Sequence, residues 1–207
     1  QSSHGGGTAG KKGKSGGGSK GGSTKKNSGK KKSVKDETER YHEIKNTLED
    51  LGKQYDAINK QRERAWGADK LKLIDQEIDK TKEAMEAQKQ YLSEIRSNLK
   101  TDETNIQKFG AKFDDMGNIS NYDQIVKDAV EKYNKAVAEF NTKNTDDEKA
   151  KEKMDAAEAE YKQFQDYLKQ YEETHDLLID EEQAMIDYQN QVYDLQLEAV
   201  DYEVQTL

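Results

Sequence analysis

The sequence predicts an all-α protein made of long coiled-coil helices that fold into helical hairpins. Apolar residues recur at alternating steps of three and four along most of residues 34–207, which places them in a narrow stripe on each helix. The chain contains no proline, the residue that most strongly breaks helices. It is 31% hydrophobic and 37% charged, whereas globular domains are roughly 45–50% apolar and about 25% charged. The three main runs comprise Tyr41, Ile44, Leu48, Leu51, Tyr55 and Ile58; Leu71, Ile74, Ile78, Met85, Leu92, Ile95 and Leu99; and Met154, Ala157, Tyr161, Phe164, Leu168, Tyr171, His175 and Leu178.

Residues 1–33 form a separate, basic segment. They contain nine lysines and no acidic residue, and they are rich in glycine and serine. Because the whole chain carries −8, residues 34–207 carry −17. A segment of this composition cannot bury enough apolar surface to offset its chain entropy, so we expect a disordered linker. Three roles stay open for it: a flexible linker, salt-sensitive contacts with the phosphates of a nucleic acid, and docking onto the acidic remainder of the chain.

Residues 34–100 are expected to form a helical hairpin. Ser33 is a suitable N-cap for the first helix, which ends before Gly67. Asp69 can cap a second helix of similar length that ends near Lys100. Two helices of equal length around a short glycine-containing break favour an antiparallel hairpin, and one continuous kinked helix is the alternative.

Aromatic residues occupy specific positions in these helices. Trp66 lies at the break, where we expect its large side chain to close the end of the hairpin. Tyrosines recur in the stripes, Tyr55 and Tyr171 among them. We expect their rings to pack and their hydroxyls to point to water. This predicts helix contacts that stay partly hydrated, and neighbouring copies of the chain would supply the missing burial.

The character of the sequence changes in residues 101–121. Thr101 and Asp102 resemble the cap of a short turn that ends near Phe109–Gly110. Asp-Asp-Met-Gly-Asn, a tight-turn composition, then separates Phe113 from Ile119. We therefore predict a small β-hairpin or ordered loop at 112–120.

Residues 122–207 are expected to form two further helices. Asn118 or Asn121 can cap the first, which spans about 122–144, and a turn at 144–146 leads into the longest helix, about 147–204. The apolar stripe of the longest helix slips by three residues near Met185, which predicts a local overwinding of the coil. The stripe of the shorter helix comprises Ile125, Ala129, Tyr133, Val137 and Phe140, and beyond the slip the stripe of the longest helix comprises Tyr188, Val192, Leu195, Ala199 and Tyr202.

No pattern of residues indicates a metal site. The three histidines, His4, His42 and His175, have no second histidine at helical spacing, and the chain has no cysteine, which argues against zinc. The acidic turn at 114–118 places Lys112 at the first position of an EF-hand loop and has no glutamate at the twelfth, so calcium is not expected.

No pattern indicates catalysis or a cofactor either. Acidic runs such as Asp146–Glu148 and Asp180–Glu182 are expected on solvated helix faces, and the string from Gly10 to Lys14 has the wrong spacing for a phosphate-binding loop. We expect a non-enzymatic protein without catalytic, cofactor-binding or metal-binding residues. No stretch is apolar enough for a transmembrane helix or a signal peptide. The first residue, Gln1, suggests a piece of a longer protein.

Residues 30–207 resemble the coiled-coil region of tail tape measure proteins of tailed bacteriophages. The likeness lies in a Lys/Ser/Gly-rich segment followed by KDETERYHEIKNTLEDLGKQYDAINKQRERAWGADKLKLIDQEI, then TKEAMEAQKQYL, FDDMGNISNYDQI and YEETHDLLIDEEQ. The family implies a helical, multimeric virion component that lies in the lumen of the tail tube, is assembled in the bacterial cytoplasm and contacts the tube and tail assembly proteins. Its length sets the length of the tube, and it leaves the tube ahead of the DNA. The alternative is a bacterial coiled-coil spacer or scaffold, such as the arm of a chromosome-organising ATPase or a surface fibre.

Overall fold

The computed structural model describes residues 31–142 and 147–206, and it is all-α as predicted. Its helices are α1 (Lys31–Arg64), α2 (Gly67–Gln107), α3 (Tyr122–Thr142) and α4 (Glu148–Thr206). The chain divides into two compact units. Of the described residues, 31–96 and 177–206 belong to unit 1, and 97–142 with 147–176 belong to unit 2. None of the described helices combines the length and the apolar character that crossing a membrane requires.

Unit 1 contains an antiparallel hairpin of α1 and α2. Near the start of α1, an Arg40 guanidinium nitrogen lies 3.1 Å from the Glu94 carboxylate in the later part of α2. Near the end of α1, Arg62 Nε lies 2.7 Å from Glu77 Oε1, early in α2. The chain therefore turns back at residues 65–66, and the alternative of one continuous kinked helix is excluded. Gly67 allows this turn because its φ is 65°, a backbone conformation that side chains disfavour.

The C-terminal part of α4 completes unit 1. It runs antiparallel to α2, because Gln88 contacts Glu181 while the Gly67 backbone N–H donates to the Tyr202 hydroxyl at 2.6 Å. The apolar core of unit 1 includes Tyr55, Ile74, Ile78 and Leu195, with Val192 and Ala199 packed against it. These residues belong to the predicted stripes, so the stripes do pack between helices. Knobs-into-holes packing, which defines a coiled coil, stays a prediction.

Unit 2 joins the end of α2, the loop 108–121, α3 and the first part of α4. The helix α3 and the first part of α4 form an antiparallel pair. Tyr133 stacks on Tyr161, whereas Ile125, earlier in α3, shares a core cluster with Phe164 and Leu168, later in α4. At the level of the tyrosine stack, Lys132 Nζ lies 2.8 Å from the Glu160 carboxylate. The buried core of unit 2 comprises Ile106, Ala111, Ile125, Phe164, Leu168 and Tyr171.

Three predicted helix starts need correction. The first helix begins at Lys31, so Ser33 lies inside it, and the second begins at Gly67, so Asp69 lies in its first turn. Residues 1–30 of the predicted linker lie outside the described residues. Asn121 does precede α3, and its carbonyl accepts the Ile125 N–H, but its side chain is used elsewhere. The fourth helix is capped by Asp147, whose carboxylate accepts the backbone N–H of Lys149.

The predicted end of the second helix near residue 100 is wrong. Thr101 and Asp102 do not form a cap, because α2 continues to Gln107. The hydroxyls of Thr101 and Thr104 donate to backbone carbonyls four residues earlier in the same helix. Their hydrogen-bonding capacity is therefore met inside the helix, and the helix continues past them. Asp102 is buried and accepts a hydrogen bond from the Thr174 hydroxyl at 2.6 Å. Packing inside unit 2 therefore outweighs the local capping preference.

The predicted insert at 112–120 is an ordered loop closed by one antiparallel bridge between Phe113 and Ile119. No strand forms in the part of the chain that the structure describes. The Asp114 N–H donates to the Asn118 carbonyl at 2.9 Å, and the Gly117 N–H donates to the Asp114 carbonyl at 3.1 Å. The prediction of a hairpin-like insert is thus confirmed, without the strands of a true β-hairpin.

Candidate functional site

The residues considered for chemistry are dispersed. His42 is exposed on α1 in unit 1, whereas His175 is buried in unit 2. Among the described residues, no three histidine or carboxylate side chains lie close enough to hold a metal ion together. His4 and Asp146 lie outside the described residues, as do Gly10 and Lys14.

A buried charged cluster lies in the core of unit 1. Glu77 is fully buried, and the almost fully buried Arg62 holds it through the 2.7 Å contact and also donates to the more exposed Glu198 carboxylate. Burial raises the pKa of the Glu77 carboxyl above its ordinary value, and the Arg62 guanidinium opposes that rise. Burial, and then the Glu77 charge, raise the pKa of the Tyr55 hydroxyl. The cluster joins α1, α2 and α4, and a buried ion pair of this kind adds little net stability compared with apolar residues of the same volume.

A second buried polar contact joins α2 to α4. The Gln88 amide donates both to the Glu181 carbonyl at 2.9 Å and to the Glu181 carboxylate at 2.7 Å. Glu181 is buried, so the prediction that its acidic run lies on a solvated face is wrong for this residue. Burial raises the pKa of the Glu181 carboxyl, and the Gln88 hydrogen bond opposes the rise.

In unit 2, two residues of α4 hold the loop 108–121. The Tyr171 hydroxyl donates to the Gly117 carbonyl, and His175 Nε2 lies 2.8 Å from the Met116 carbonyl. Because a carbonyl only accepts, Nε2 carries the proton that it donates. The two rings stack at 5.8 Å with an interplanar angle of 7°. Burial raises the pKa of Tyr171 to about 12, and its hydroxyl is therefore a donor across the physiological range, not a free group pointing to water as predicted.

The loop is also braced from within. The Asn121 side chain accepts the Lys112 N–H and donates to the Gly110 carbonyl, both at 2.8 Å. The Asp114 carboxylate accepts the backbone N–H groups of Asn118 and Met116, and these hydrogen bonds hold its pKa below the ordinary value. The Asp114 carboxylate of the acidic turn is thus hydrogen-bonded within the loop, and the turn has a structural role.

A cavity of about 210 Å³ lies between α3 and α4 of unit 2. Phe109, Ile125 and Phe164 contribute apolar lining, and the Lys132–Glu160 ion pair lies at its edge. Pockets for drug-sized ligands are about 300–1,000 Å³. The cavity is smaller than these, so we assign no ligand to it.

The most distinctive surface of the described chain is the outer face of α4 in unit 1, which we call the outer stripe. It carries six exposed apolar side chains along one face of the helix. They are Ile179, Ile186, Tyr193, Leu197, Val200 and Val204. The exposed Gln183 and Asn190 complete the same alternation of four and three residues. Six apolar side chains that alternate at steps of four and three, with two polar residues among them, are the pattern of a helix face that contacts another helix.

Trp66 is a further exposed apolar residue, with 83% of its surface accessible. The prediction that its ring closes the hairpin is wrong. Tyr202 takes that place, because its hydroxyl accepts the Gly67 N–H and Lys70 lies over its ring at 4.8 Å from the centroid.

Sequence reasoning missed both the outer stripe and the buried charged cluster. The signal for the stripe was present, since Ile179, Ile186, Tyr193 and Val200 are each seven residues apart. No signal marked Arg62 and Glu77, because charged residues on a helix are ordinarily solvated and only the tertiary packing buries these two.

Comparisons with known proteins identify no relative: no protein-family model matches the chain, and no curated protein or solved structure matches it significantly.

Proposed function

We propose that the chain is a non-enzymatic structural protein that acts through helix-to-helix contacts, as a component of a phage tail resembling a tape measure protein. The observation that carries the first part is the outer stripe. It lies on a 59-residue helix whose opposite face already packs in unit 1. The second part rests on the sequence resemblance of residues 30–207. In this role the protein occupies the lumen of the tail tube until DNA ejection, and the tube and tail assembly proteins are its partners.

The mechanism of such a role is conversion of residue count into length. A helix adds about 1.5 Å per residue along its axis. In unit 1, however, α1 and the C-terminal part of α4 run beside α2, so these residues do not add their lengths end to end. Helices that lie end to end and helices that fold back beside one another therefore predict different changes in tube length when residues are removed.

The spacer or scaffold hypothesis is the second candidate. The antiparallel pairing of α1 with α2, established by the Arg40–Glu94 and Arg62–Glu77 contacts, favours it, because a coiled-coil arm turns back in the same way. In this role the number of residues would set the reach of an arm and would leave tail length unaffected.

Deletion at matched levels of the three helices of unit 1 tests these alternatives. Removing residues 42–55, 79–92 and 178–191 from the encoding phage takes out two heptads from each helix and keeps their mutual register. Fully extended helices would shorten the tail by about 63 Å, and the folded-back unit by about 21 Å, at about 1.5 Å per residue. Electron microscopy of purified particles measures the length.

Replacement of the three segments by unrelated heptads of equal length is the matched control and should restore the original length. An unchanged tail length in the deletion variant, with the chain still present in the particles, would exclude the ruler role. Absence of the chain from the particles would favour the spacer or scaffold.

A further inference from the structure

We infer that the outer stripe is the seam of a parallel, in-register, two-stranded coiled coil between two copies of this chain. This inference deepens the proposed function by naming the partner of the contact surface, and it rests on that function. Its starting point is the spacing of the exposed residues on α4. Steps of four and three assign Ile179, Ile186, Tyr193 and Val200 to d positions, and Gln183, Asn190, Leu197 and Val204 to a positions.

The stripe lies opposite the face of α4 that packs in unit 1, and within the described part of the chain its apolar side chains are exposed. Glu181, Gln191 and Leu195 are buried in unit 1. By contrast, Tyr193 keeps 61% of its surface exposed and Val204 keeps 72%. The stripe extends from residue 179 to 204 with polar residues only at Gln183 and Asn190, and this length holds more than three heptads.

The position of Asn190 favours a second copy over an unrelated helix. An asparagine at a single a position specifies register and strand number in parallel coiled coils, because it pairs with its own equivalent across the seam. In a parallel, in-register pair, Asn190 meets Asn190 of the partner copy. In an antiparallel pair a positions face d positions, so this polar amide would face an apolar side chain and lose a hydrogen bond.

The flanking charges select the parallel orientation. Every e position beside the stripe is an aspartate, and the g positions hold two glutamates and two glutamines. The e set is Asp180, Asp187, Asp194 and Asp201, and the g set is Glu182, Gln189, Gln196 and Glu203. An antiparallel pair places e beside e and opposes the aspartate rows, which is unfavourable. A parallel pair places Gln189 beside Asp194 and Gln196 beside Asp201, and only Glu182 meets a like charge.

The same aspartates limit the number of strands. Isoleucine and valine at d positions favour three or four strands when considered alone. A third or fourth helix, however, would cover the e positions and remove four carboxylates per chain from water without cationic partners. Desolvation of unpaired carboxylates costs far more than the packing preference of a branched side chain, so the narrow two-stranded seam is favoured.

The test uses the full 207-residue chain. Sedimentation equilibrium should show a reversible species of twice the monomer mass of 23.6 kDa at micromolar concentrations. The double variant Ile186→Asp with Leu197→Asp should weaken the dimer by about 100-fold or more, because four carboxylates would enter the seam. Circular dichroism should show unchanged helicity, since both side chains are exposed in the monomer. Asn46→Asp, at an exposed position of α1, is the matched control and should leave the dimer intact.

Two further variants determine orientation. Gln189→Lys with Gln196→Lys adds four Lys–Asp pairs to a parallel dimer and should tighten it about tenfold at low salt, whereas it would weaken an antiparallel one. Asn46→Lys with Gln61→Lys is the charge-matched control on α1. Because the chain lacks cysteine, Ile179→Cys and Val200→Cys can each be oxidised separately. Both should give disulfide-linked dimers, while an antiparallel pair can link at one of these positions at most.

Every other result overturns the inference. A monomer at all concentrations excludes a second copy as the occupant. Lysine–carboxylate cross-links from residues 1–33 to Asp194 within a monomer would identify the chain's own basic segment as the occupant. A tetramer or a single cysteine link would exclude the two-stranded parallel seam. None of these results depends on the tail-length measurement, so failure of the seam and failure of the ruler role can be distinguished.

Discussion

Replacement of Gly117 by alanine should destabilise unit 2 much more than the same replacement of Gly110. Both glycines lie in the loop 108–121 and have similar backbone conformations, with φ of 81° and 86°. They differ in their surroundings. A Cβ at Gly117 would lie 2.6 Å from His175 Nε2, whereas a Cβ at Gly110 would meet only an Ile125 methyl group at 3.9 Å. Gly110→Ala is therefore a control for the backbone conformation alone.

The magnitudes follow from these contacts. A left-handed conformation costs an alanine about 1–2 kcal/mol, and the lower entropy of the unfolded chain offsets about 0.4–1 kcal/mol, so Gly110→Ala should cost roughly 1 kcal/mol. Gly117→Ala must also displace His175 from its hydrogen bond to the Met116 carbonyl, worth about 0.5–1.5 kcal/mol. The stack on Tyr171 adds about 0.5–1.5 kcal/mol. The expected total is about 2–4 kcal/mol.

Urea unfolding monitored by far-UV circular dichroism measures the difference between the two variants. A double-mutant cycle with His175→Ala isolates the clash, because truncating the ring removes the atom that the new methyl group meets. The double variant should be more stable than the sum of the single effects predicts, by about 1–3 kcal/mol. Equal costs for Gly117→Ala and Gly110→Ala, or strict additivity in the cycle, would refute the close approach of His175 to the loop.

Three predictions concern buried polar groups. The Tyr91 hydroxyl is buried without a hydrogen-bond partner among the described residues, so Tyr91→Phe should stabilise the protein by about 1–3 kcal/mol. The Tyr171 hydroxyl donates to the Gly117 carbonyl, so Tyr171→Phe should destabilise the protein by about 0.5–1.5 kcal/mol. Urea unfolding measures both changes, and a change of the same sign in the two variants would contradict these hydrogen-bonding states. Arg62→Ala leaves Glu77 buried without its cation and should cost about 3–5 kcal/mol by the same measurement, and a loss below 1 kcal/mol would show that water reaches the carboxylate. Because burial raises the folded-state pKa of Glu181, its proton binds more tightly in the folded state. The contribution of Glu181 to stability should therefore increase as the pH falls towards the ordinary pKa of a glutamate, and Glu181→Gln should remove this pH dependence. An unchanged pH dependence in that variant would assign the effect to other groups.

Helical periodicity predicted most of the architecture. The apolar stripes identified four helices, because a residue such as Ile74 or Phe164 can be buried only if its neighbours at three and four residues share its face. The glycine break at Gly67 located the turn of the hairpin. These features depend on local sequence, and local sequence was sufficient to find them.

Features that depend on packing could not be found in this way. Thr101 and Asp102 have the composition of a helix cap, yet α2 continues past them because Asp102 is held by the Thr174 hydroxyl. Glu181 lies in an acidic run that is ordinarily solvated, yet Gln88 of another helix satisfies it in the core. Trp66 was expected to pack because of its size, but Tyr202 occupies the end of the hairpin and leaves it exposed.

The outer stripe escaped prediction for a geometric reason. Two rows on α4 repeat every seven residues: one runs 181, 188, 195 and 202, and the other runs 179, 186, 193 and 200. Residues two positions apart are separated by about 200° around a helix, so the rows lie on opposite faces. Both rows have the same heptad spacing. The predicted stripe contains most of the first row, and the second row was therefore assigned to the solvated surface. The first row contains Glu181 and Leu195, which are buried in unit 1, while the second remains exposed. A helix with two such rows can form the core of its own bundle and still present a seam to another chain, which is the property that a protein assembled through helix contacts requires.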